Sequence, residues 1–206
     1  MGPGAAAGVL TRSLAKFLGL AVVLGLLVAW QGQWVGQAFS PLFESELRAL
    51  DRTFRVDRVS VDHDGPDPVF LLEVGLARPV SLNGQTFYPD PRGRATASTL
   101  VGNLTLPCVL LLAIALAWPV RNGRFLAIRT LVLVPTLLLL CALGVPLILW
   151  AGIWGVIIHA ADPDRLSPLL LWRDFLLDGG TFALALTLGA AVGQIGAPSR
   201  PQKSRP

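Results

Sequence analysis

The chain has 206 residues, a mean hydropathy of +0.61 and 15% charged residues, whereas an average soluble domain has about 25%. Long apolar runs exclude a disordered chain. The charges lie between these runs rather than on one basic face, which argues against a nucleic-acid-binding protein despite a pI of about 9.8. Cys108 and Cys141 both lie inside apolar runs, so we expect no disulfide framework. The composition predicts an integral membrane protein.

The first apolar run follows a short basic lead, residues 1–16, which contains no acid. Residues 17–38 are predicted to form transmembrane helix 1, with Trp30 and Trp34 placed like an interfacial aromatic belt. A cleaved secretory signal peptide with its small-residue site at 36–38 is the alternative. The charge-free run is longer than the apolar region of a usual signal peptide, which favours an uncleaved helix.

The largest polar segment, residues 40–95, is predicted to be a small extracytoplasmic α+β unit. Ser40 and Pro41 indicate the start of a new helix, because Ser caps free backbone N–H groups and Pro suits the first helical position. Apolar residues at helical spacing follow, so this is an amphipathic helix. A unit of about 55 residues buries little core alone. We therefore expect it to lean on the membrane or on a partner.

Strands are predicted at 56–61 and 69–76, separated by a turn-rich loop at 62–68. The sharpest local signal is Asn83-Gly84 inside the segment 80–87. Asn and Gly both accept the positive φ values of a type I′ turn. The pattern therefore predicts a β-hairpin.

Transmembrane helix 2 is predicted at 97–119, inside a charge-free run long enough to cross a hydrocarbon core of roughly 30 Å. Its outer part is made polar by Asn103 and Thr105 and is interrupted by Pro107. These residues either hydrogen-bond another helix, in this chain or in a partner, or lie wet at the interface. A basic cytoplasmic turn, 120–129, follows.

The third apolar run is longer than one membrane crossing. We predict a kinked transmembrane helix 3 at 130–158, because Pro135 and Pro146 interrupt the run. Two half-helices are the alternative. An outer loop with an interfacial helix is predicted at 162–178, since that stretch is too short and too charged to span.

Transmembrane helix 4 is predicted at 180–197, before a basic cytoplasmic tail at 198–206. Small residues recur every four positions on this helix, which lets helix backbones approach closely. Packing inside the chain is favoured over packing on another protein. These residues are Ala185, Gly189, Gly193 and Ala197.

The fold class is thus a membrane all-α protein of about four transmembrane helices, with an α+β insertion between helices 1 and 2. The lead, the 120–129 turn and the tail carry eight of the 17 Lys and Arg residues and none of the 13 acids. Basic residues mark the cytoplasmic side. The chain is therefore predicted to lie in a bacterial inner membrane with both termini in the cytoplasm.

No catalytic, cofactor-binding or metal-binding residue is predicted. Cys108, His159 and Arg173 all fall toward the predicted outer face, and a thiol with a base beside it could act as a nucleophile. The apolar surroundings of Cys108 favour a packing role instead. His63 lies between two aspartates, but neighbouring residues on a strand point to opposite faces, so an exposed loop is favoured over a metal site.

The run from Asn103 to Ala117, with its Leu-Pro lead into Leu and Ala, resembles small membrane proteins encoded beside exosortases, in particular the exosortase H-associated type. Those proteins have one N-terminal span, an outer segment of strands and further spans. Cys108 departs from the aliphatic residue expected there. The resemblance implies a non-enzymatic accessory role. The implied partners are the lipid bilayer and an exosortase-type membrane transpeptidase or its substrate tail, with no cofactor and no nucleic acid.

Two other functions remain open. One is a membrane-embedded cysteine enzyme that uses Cys108. The other is a small lipid or solute carrier built on the kinked third helix. No predicted span has a charge at its centre, which argues against ion-coupled transport.

Overall fold

A computed structural model describes residues 3–162 and 165–197, with side chains from residue 11 onward. The predicted tail, 198–206, lies outside the described residues. The chain is mostly helical with a small β-sheet insertion. The elements in order are α1 Pro3–Leu50, β1 Phe54–Asp64, β2 Asp67–Leu76, β3 Val80–Leu82, β4 Gln85–Phe87, β5 Ala95–Leu100, α2 Gly102–Ala117, α3 Gly123–Leu143, α4 Val145–Ala161, α5 Pro168–Phe175, a kinked connection Leu176–Gly180 with φ +108° at Gly179, and α6 Thr181–Gly193.

Three helical segments of the described chain are long and apolar enough to cross a membrane: Thr11–Leu50, Gly123–Ala161 and Pro168–Gly193. The second of these contains α3 and α4, and the third contains α5 and α6. α2 is apolar but has only 16 residues, which corresponds to about 24 Å of helix.

α1 continues through Ser40 and Pro41, so the predicted helix start at this point is wrong. The Ser40 hydroxyl instead donates to the carbonyl of Gly36 at 3.0 Å. Proline costs a helix interior about 3 kcal/mol. Packing offsets this cost, because Phe43 and Leu47 beyond the proline are buried against the sheet. The first 11 residues of the predicted outer segment therefore extend the first helix.

The main sheet has the order β1-β2-β5 and is antiparallel throughout. β1 and β2 pair from Phe54 opposite Leu76 to Asp64 opposite Asp67. A turn at Gly65, with φ +61°, closes this hairpin. The loop predicted at 62–68 is therefore mostly strand. Its polar residues suggested a loop, but the long register with β2 extends the ladder through them.

β5 corrects the predicted start of helix 2. Residues 95–100 pair with β2, from Val74 opposite Ala95 to Val69 opposite Leu100, and α2 begins only at Gly102. The absence of charge over this stretch fits a strand as well as a helix. The partner strand, more than 20 residues earlier in the chain, decides between them.

The second hairpin is confirmed as predicted. β3 and β4 pair from Val80 opposite Phe87 to Leu82 opposite Gln85. Asn83 has φ +48° and Gly84 has φ +78°, the two positive values that a type I′ turn requires.

The third apolar run, predicted as one kinked helix over 130–158, forms two helices, α3 and α4, separated by a break at Gly144, with φ −92° and ψ −98°. Pro146 stands in the first turn of α4, whereas Pro135 lies inside an unbroken α3. α3 begins at Gly123, so most of the predicted 120–129 turn is helical. The Asn122 side chain caps this start by accepting from the Phe125 N–H at 3.3 Å.

Two hydrophobic clusters result. The sheet cluster joins one face of the sheet to the end of α1 and to one side of α4. Its buried members include Phe43, Phe70, Leu72, Val74, Val145, Leu149 and Ile153. The bundle cluster joins α2, α3 and α6, and consists of Leu111, Ala115, Leu133, Leu140, Ala185 and Val192.

Candidate functional site

The α+β unit, formed by the end of α1 and by β1 to β5, is tied to α4 by one carboxylate. Asp51 directly follows α1, and its Oδ2 accepts hydrogen bonds from the indole N–H groups of Trp150 at 3.3 Å and Trp154 at 3.1 Å. Its Oδ1 accepts from the Thr53 backbone N–H at 2.8 Å. Partial burial opposes the ionisation of Asp51, but the bonds from Thr53 and both indoles outweigh it and lower its pKa.

α4 lies against β5 because small residues face each other there. A Cβ on Gly152 would come within 3.0 Å of the Ala97 Cβ, so the helix and the strand are in close contact. The next small position, Gly155, lies against Leu170 and Arg173 of α5. α4 is therefore covered on two sides, by the sheet and by α5.

The opposite end of the bundle is organised by Arg129 in α3, whose side chain is 0% exposed. No carboxylate pairs with it among the described residues; its guanidinium donates only to backbone carbonyls at the C-terminal ends of α2 and α6. The acceptors are Ala115 at 3.1 Å, Trp118 at 2.7 Å, Pro119 at 3.4 Å, Gly193 at 2.8 Å and Ile195 at 2.8 Å.

This arrangement satisfies helix-end carbonyls that have no partner of their own, and it places a cation at the negative ends of two helix dipoles. Both helix ends meet one side chain in the second turn of α3. α3 therefore runs opposite to α2 and α6. In the sequence, Arg129 is one of several basic residues in the turn predicted at 120–129, and no local pattern indicates that it is buried.

The polar start of α2 finds its partners inside the chain. Asn103 donates to the Thr99 hydroxyl at 3.0 Å, and the Thr105 hydroxyl donates to the Val101 carbonyl at 3.2 Å. Pro107 is buried. Asn103 and Pro107 also border a small cleft under the α3–α4 break, with room for about one water molecule. The other lining residues are Leu104, Cys108, Leu140, Gly144 and Thr181.

The small-residue face of α6 lies against α2. A Cβ on Gly189 would come within 3.2 Å of Ile114 and of the Leu111 carbonyl, and one on Gly193 within 3.2 Å of Trp118. Ala185 is fully buried in the bundle cluster. Ala197 lies beyond the end of α6 and is partly exposed.

The structure does not bring the three candidate catalytic residues together as a triad. Cys108 has Cys141 as its hydrogen-bond partner within the described chain, with the two sulfurs 3.7 Å apart. His159 is exposed in the last turn of α4. Arg173 pairs with its neighbour Asp174 at 2.9 Å. Within the part of the chain that the structure describes, the Cys108 thiol hydrogen-bonds to a second thiol and not to a base or a cation.

His63 lies near the end of β1, paired with Pro68, rather than in a loop. Its backbone N–H donates to Asp62, and its ring is exposed. Between residues 11 and 162 and between 165 and 197, no group of three His, Cys, Asp or Glu side chains is placed to hold a metal ion.

Comparison with protein-family models, with curated proteins and with solved structures gives no match.

Proposed function

We propose that this chain is a four-span protein of the bacterial inner membrane, with both termini in the cytoplasm, whose outer unit is a non-enzymatic platform for protein sorting of the exosortase type. The spans would be the first part of α1, α2, α3 and α6. The partner would be a membrane transpeptidase or the anchor segment of its substrate.

The observation that carries the proposal is the way two helices continue from the apolar layer into the outer unit. α1 runs without a break from its lipid-type surface, where Trp30 is 82% and Trp34 is 71% exposed, to Leu47 in the outer core. α4 follows α3 after one break and enters the same core. A unit held at two points keeps a fixed height and orientation above the bilayer, which suits the presentation of a docking surface.

The distribution of reactive groups supports a non-enzymatic role. The Cys108 thiol lies beside a second thiol rather than a base. The hairpin of β3 and β4 and the residue that follows it, Tyr88 at 74% exposure, project a polar and aromatic surface that fits a protein partner.

Partner capture tests the proposal. A photo-crosslinking phenylalanine analogue at Tyr88 should yield an adduct with a membrane transpeptidase at native expression, identified by mass spectrometry. The same analogue at Leu131, which is 75% exposed on α3, is the control for random membrane collisions. Recovery of the chain alone, both after crosslinking and after purification in mild detergent, would contradict the proposal.

Orientation is tested separately. In a Cys108→Ala, Cys141→Ala background, Gln85→Cys places a thiol on the exposed β4, and Gly123→Cys places one in open space at the opposite end. A membrane-impermeant maleimide added to spheroplasts should label the first and spare the second. Labelling of Gly123→Cys alone would invert the topology and remove the outer platform.

A further inference from the structure

The two cysteines of the chain meet in space although 33 residues separate them. Cys108 is in the second turn of α2, and Cys141 is in the last turn of α3. Their sulfurs are 3.7 Å apart, whereas a disulfide bond is about 2.0 Å long. Side-chain rotation and a small shift of the helices can close this gap. The neighbouring residues in both helices are apolar, and Glu46 of α1 is the charged group that acts on Cys141.

We propose that Cys108 and Cys141 form a reversible disulfide that joins α2 to α3. The step removes one proton from each thiol and two electrons from the pair, and it forms one S–S bond. The electrons pass to a protein disulfide by thiol–disulfide exchange. Cys108, which is partly exposed whereas Cys141 is buried, first forms a mixed disulfide; Cys141 then attacks the Cys108 sulfur and releases the reduced dithiol of the oxidant.

The position of the bond gives it a structural consequence. The Cys141 carbonyl accepts the Gly144 N–H at 3.3 Å, at the break where α4 turns away from α3. A bond from Cys141 to α2 would therefore fix the point from which α4 enters the outer unit. Oxidation would hold the outer unit more rigidly to the bundle, and reduction would loosen it.

Access to the oxidant in the cell rests on the outward orientation proposed above, but the pairing of the two thiols does not. The first experiment therefore uses the purified full-length chain in detergent. Treatment with oxidised glutathione should yield a monomer lighter by about 2 Da that no longer reacts with maleimide, and dithiothreitol should restore both thiols. The midpoint of thermal unfolding should rise by several degrees on oxidation.

A matched variant separates proximity from general reactivity. Cys141→Ala with Leu139→Cys keeps two cysteines but moves one thiol to a surface that is 50% exposed on α3. It should form the intramolecular bond at least about tenfold more slowly. The pairing would be overturned if the wild type and this variant formed the bond at equal rates. It would also be overturned if the wild type gave only a glutathione adduct or a crosslinked dimer, or if its two thiols stayed free.

The second experiment traps thiols in whole cells with a permeant maleimide before lysis. An oxidised pair in wild-type cells that becomes reduced in cells lacking their extracytoplasmic disulfide oxidant supports the inference. If the pair is reduced in wild-type cells although the purified protein oxidises readily, the disulfide does not form in the cell. That outcome would overturn the inference and leave the partner-capture result unaffected.

Discussion

α3 and α4 come from one uncharged stretch of sequence, yet their surroundings differ. Leu131, Val134 and Leu139 of α3 are 75%, 56% and 50% exposed, as expected of a helix that faces lipid. In α4, Leu149, Ala151 and Ile153 are at most 1% exposed, because the sheet and α5 cover them. Hydropathy measures how much a helix avoids water, and a lipid tail and a protein core satisfy that tendency equally well.

The burial of α4 also explains how a 55-residue α+β unit is stabilised. Its sheet has one apolar face, and α4 supplies the layer that this face needs. The sequence predicts that the membrane or a partner supports this unit. The support comes from the same chain, through a segment that sequence alone assigns to the membrane.

The largest effect is expected at the N-terminal end of α3. Arg129→Leu leaves at least four helix-end carbonyls without a donor, so the free energy of unfolding should fall by about 3 kcal/mol or more. Arg129→Lys should recover only part of the lost free energy of unfolding, because an ammonium group cannot reach both helix ends as a planar guanidinium does. Thermal unfolding in detergent measures this. The exposed Arg124→Leu serves as the control and should change little; an equal loss there would contradict the capping role.

The next effect tests the contact between α4 and the sheet. Gly152→Leu forces a side chain into Ala97 and should cost about 1–3 kcal/mol. Gly19→Leu on α1 is the matched control, because a Cβ there has nothing within 4 Å. If both variants unfold at the wild-type temperature, α4 does not pack on β5 as described.

A smaller effect is expected at the carboxylate that holds α4. Asp51→Ala removes the acceptor of two indole N–H groups and should cost about 1–2 kcal/mol. Trp154→Phe removes one of these bonds and should cost about 1 kcal/mol. A double-mutant cycle between the two measures their coupling, and strict additivity would mean that the bond contributes nothing.

The smallest effect is the pH dependence of the same contact. The folded state lowers the pKa of Asp51 below its unfolded value of about 3.9, so its stabilising contribution is complete above that pH and is lost as the pH falls through the folded pKa. The difference in unfolding temperature between wild type and Asp51→Asn should stay constant from pH 7 to 5 and shrink on further acidification. If the difference instead grows below pH 4, the folded state raises the pKa of Asp51 and the predicted direction of the shift is wrong.

Local signals succeeded where the local backbone determines the outcome. Asn83 and Gly84 specified a turn that needs two positive φ values, and few other residues tolerate them. Local signals failed where packing outweighed them. Pro41 suggested a helix start, but burial of Phe43 and Leu47 keeps the helix intact across it.

Some residues of the candidate site could likewise be predicted from local signals, and others could not. The small residues of α6 were visible from their spacing, because a four-residue repeat marks one helix face. The burial of Arg129, the bonds to Asp51 and the meeting of Cys108 with Cys141 had no signal in the sequence. Each of these depends on side chains or carbonyls at least 10 residues away along the chain, and 103 residues separate Trp154 from Asp51.

Composition and turn geometry are enough to predict the apolar runs, the placement of the basic segments and the second hairpin, because they are properties of a few adjacent residues. Only the tertiary structure shows that residues 95–100 form a strand, that one side of α4 is buried against the sheet, and that Arg129 caps the C-terminal ends of α2 and α6. Burial and pairing are properties of neighbours in space, and a single chain read in order does not contain the distances that define them.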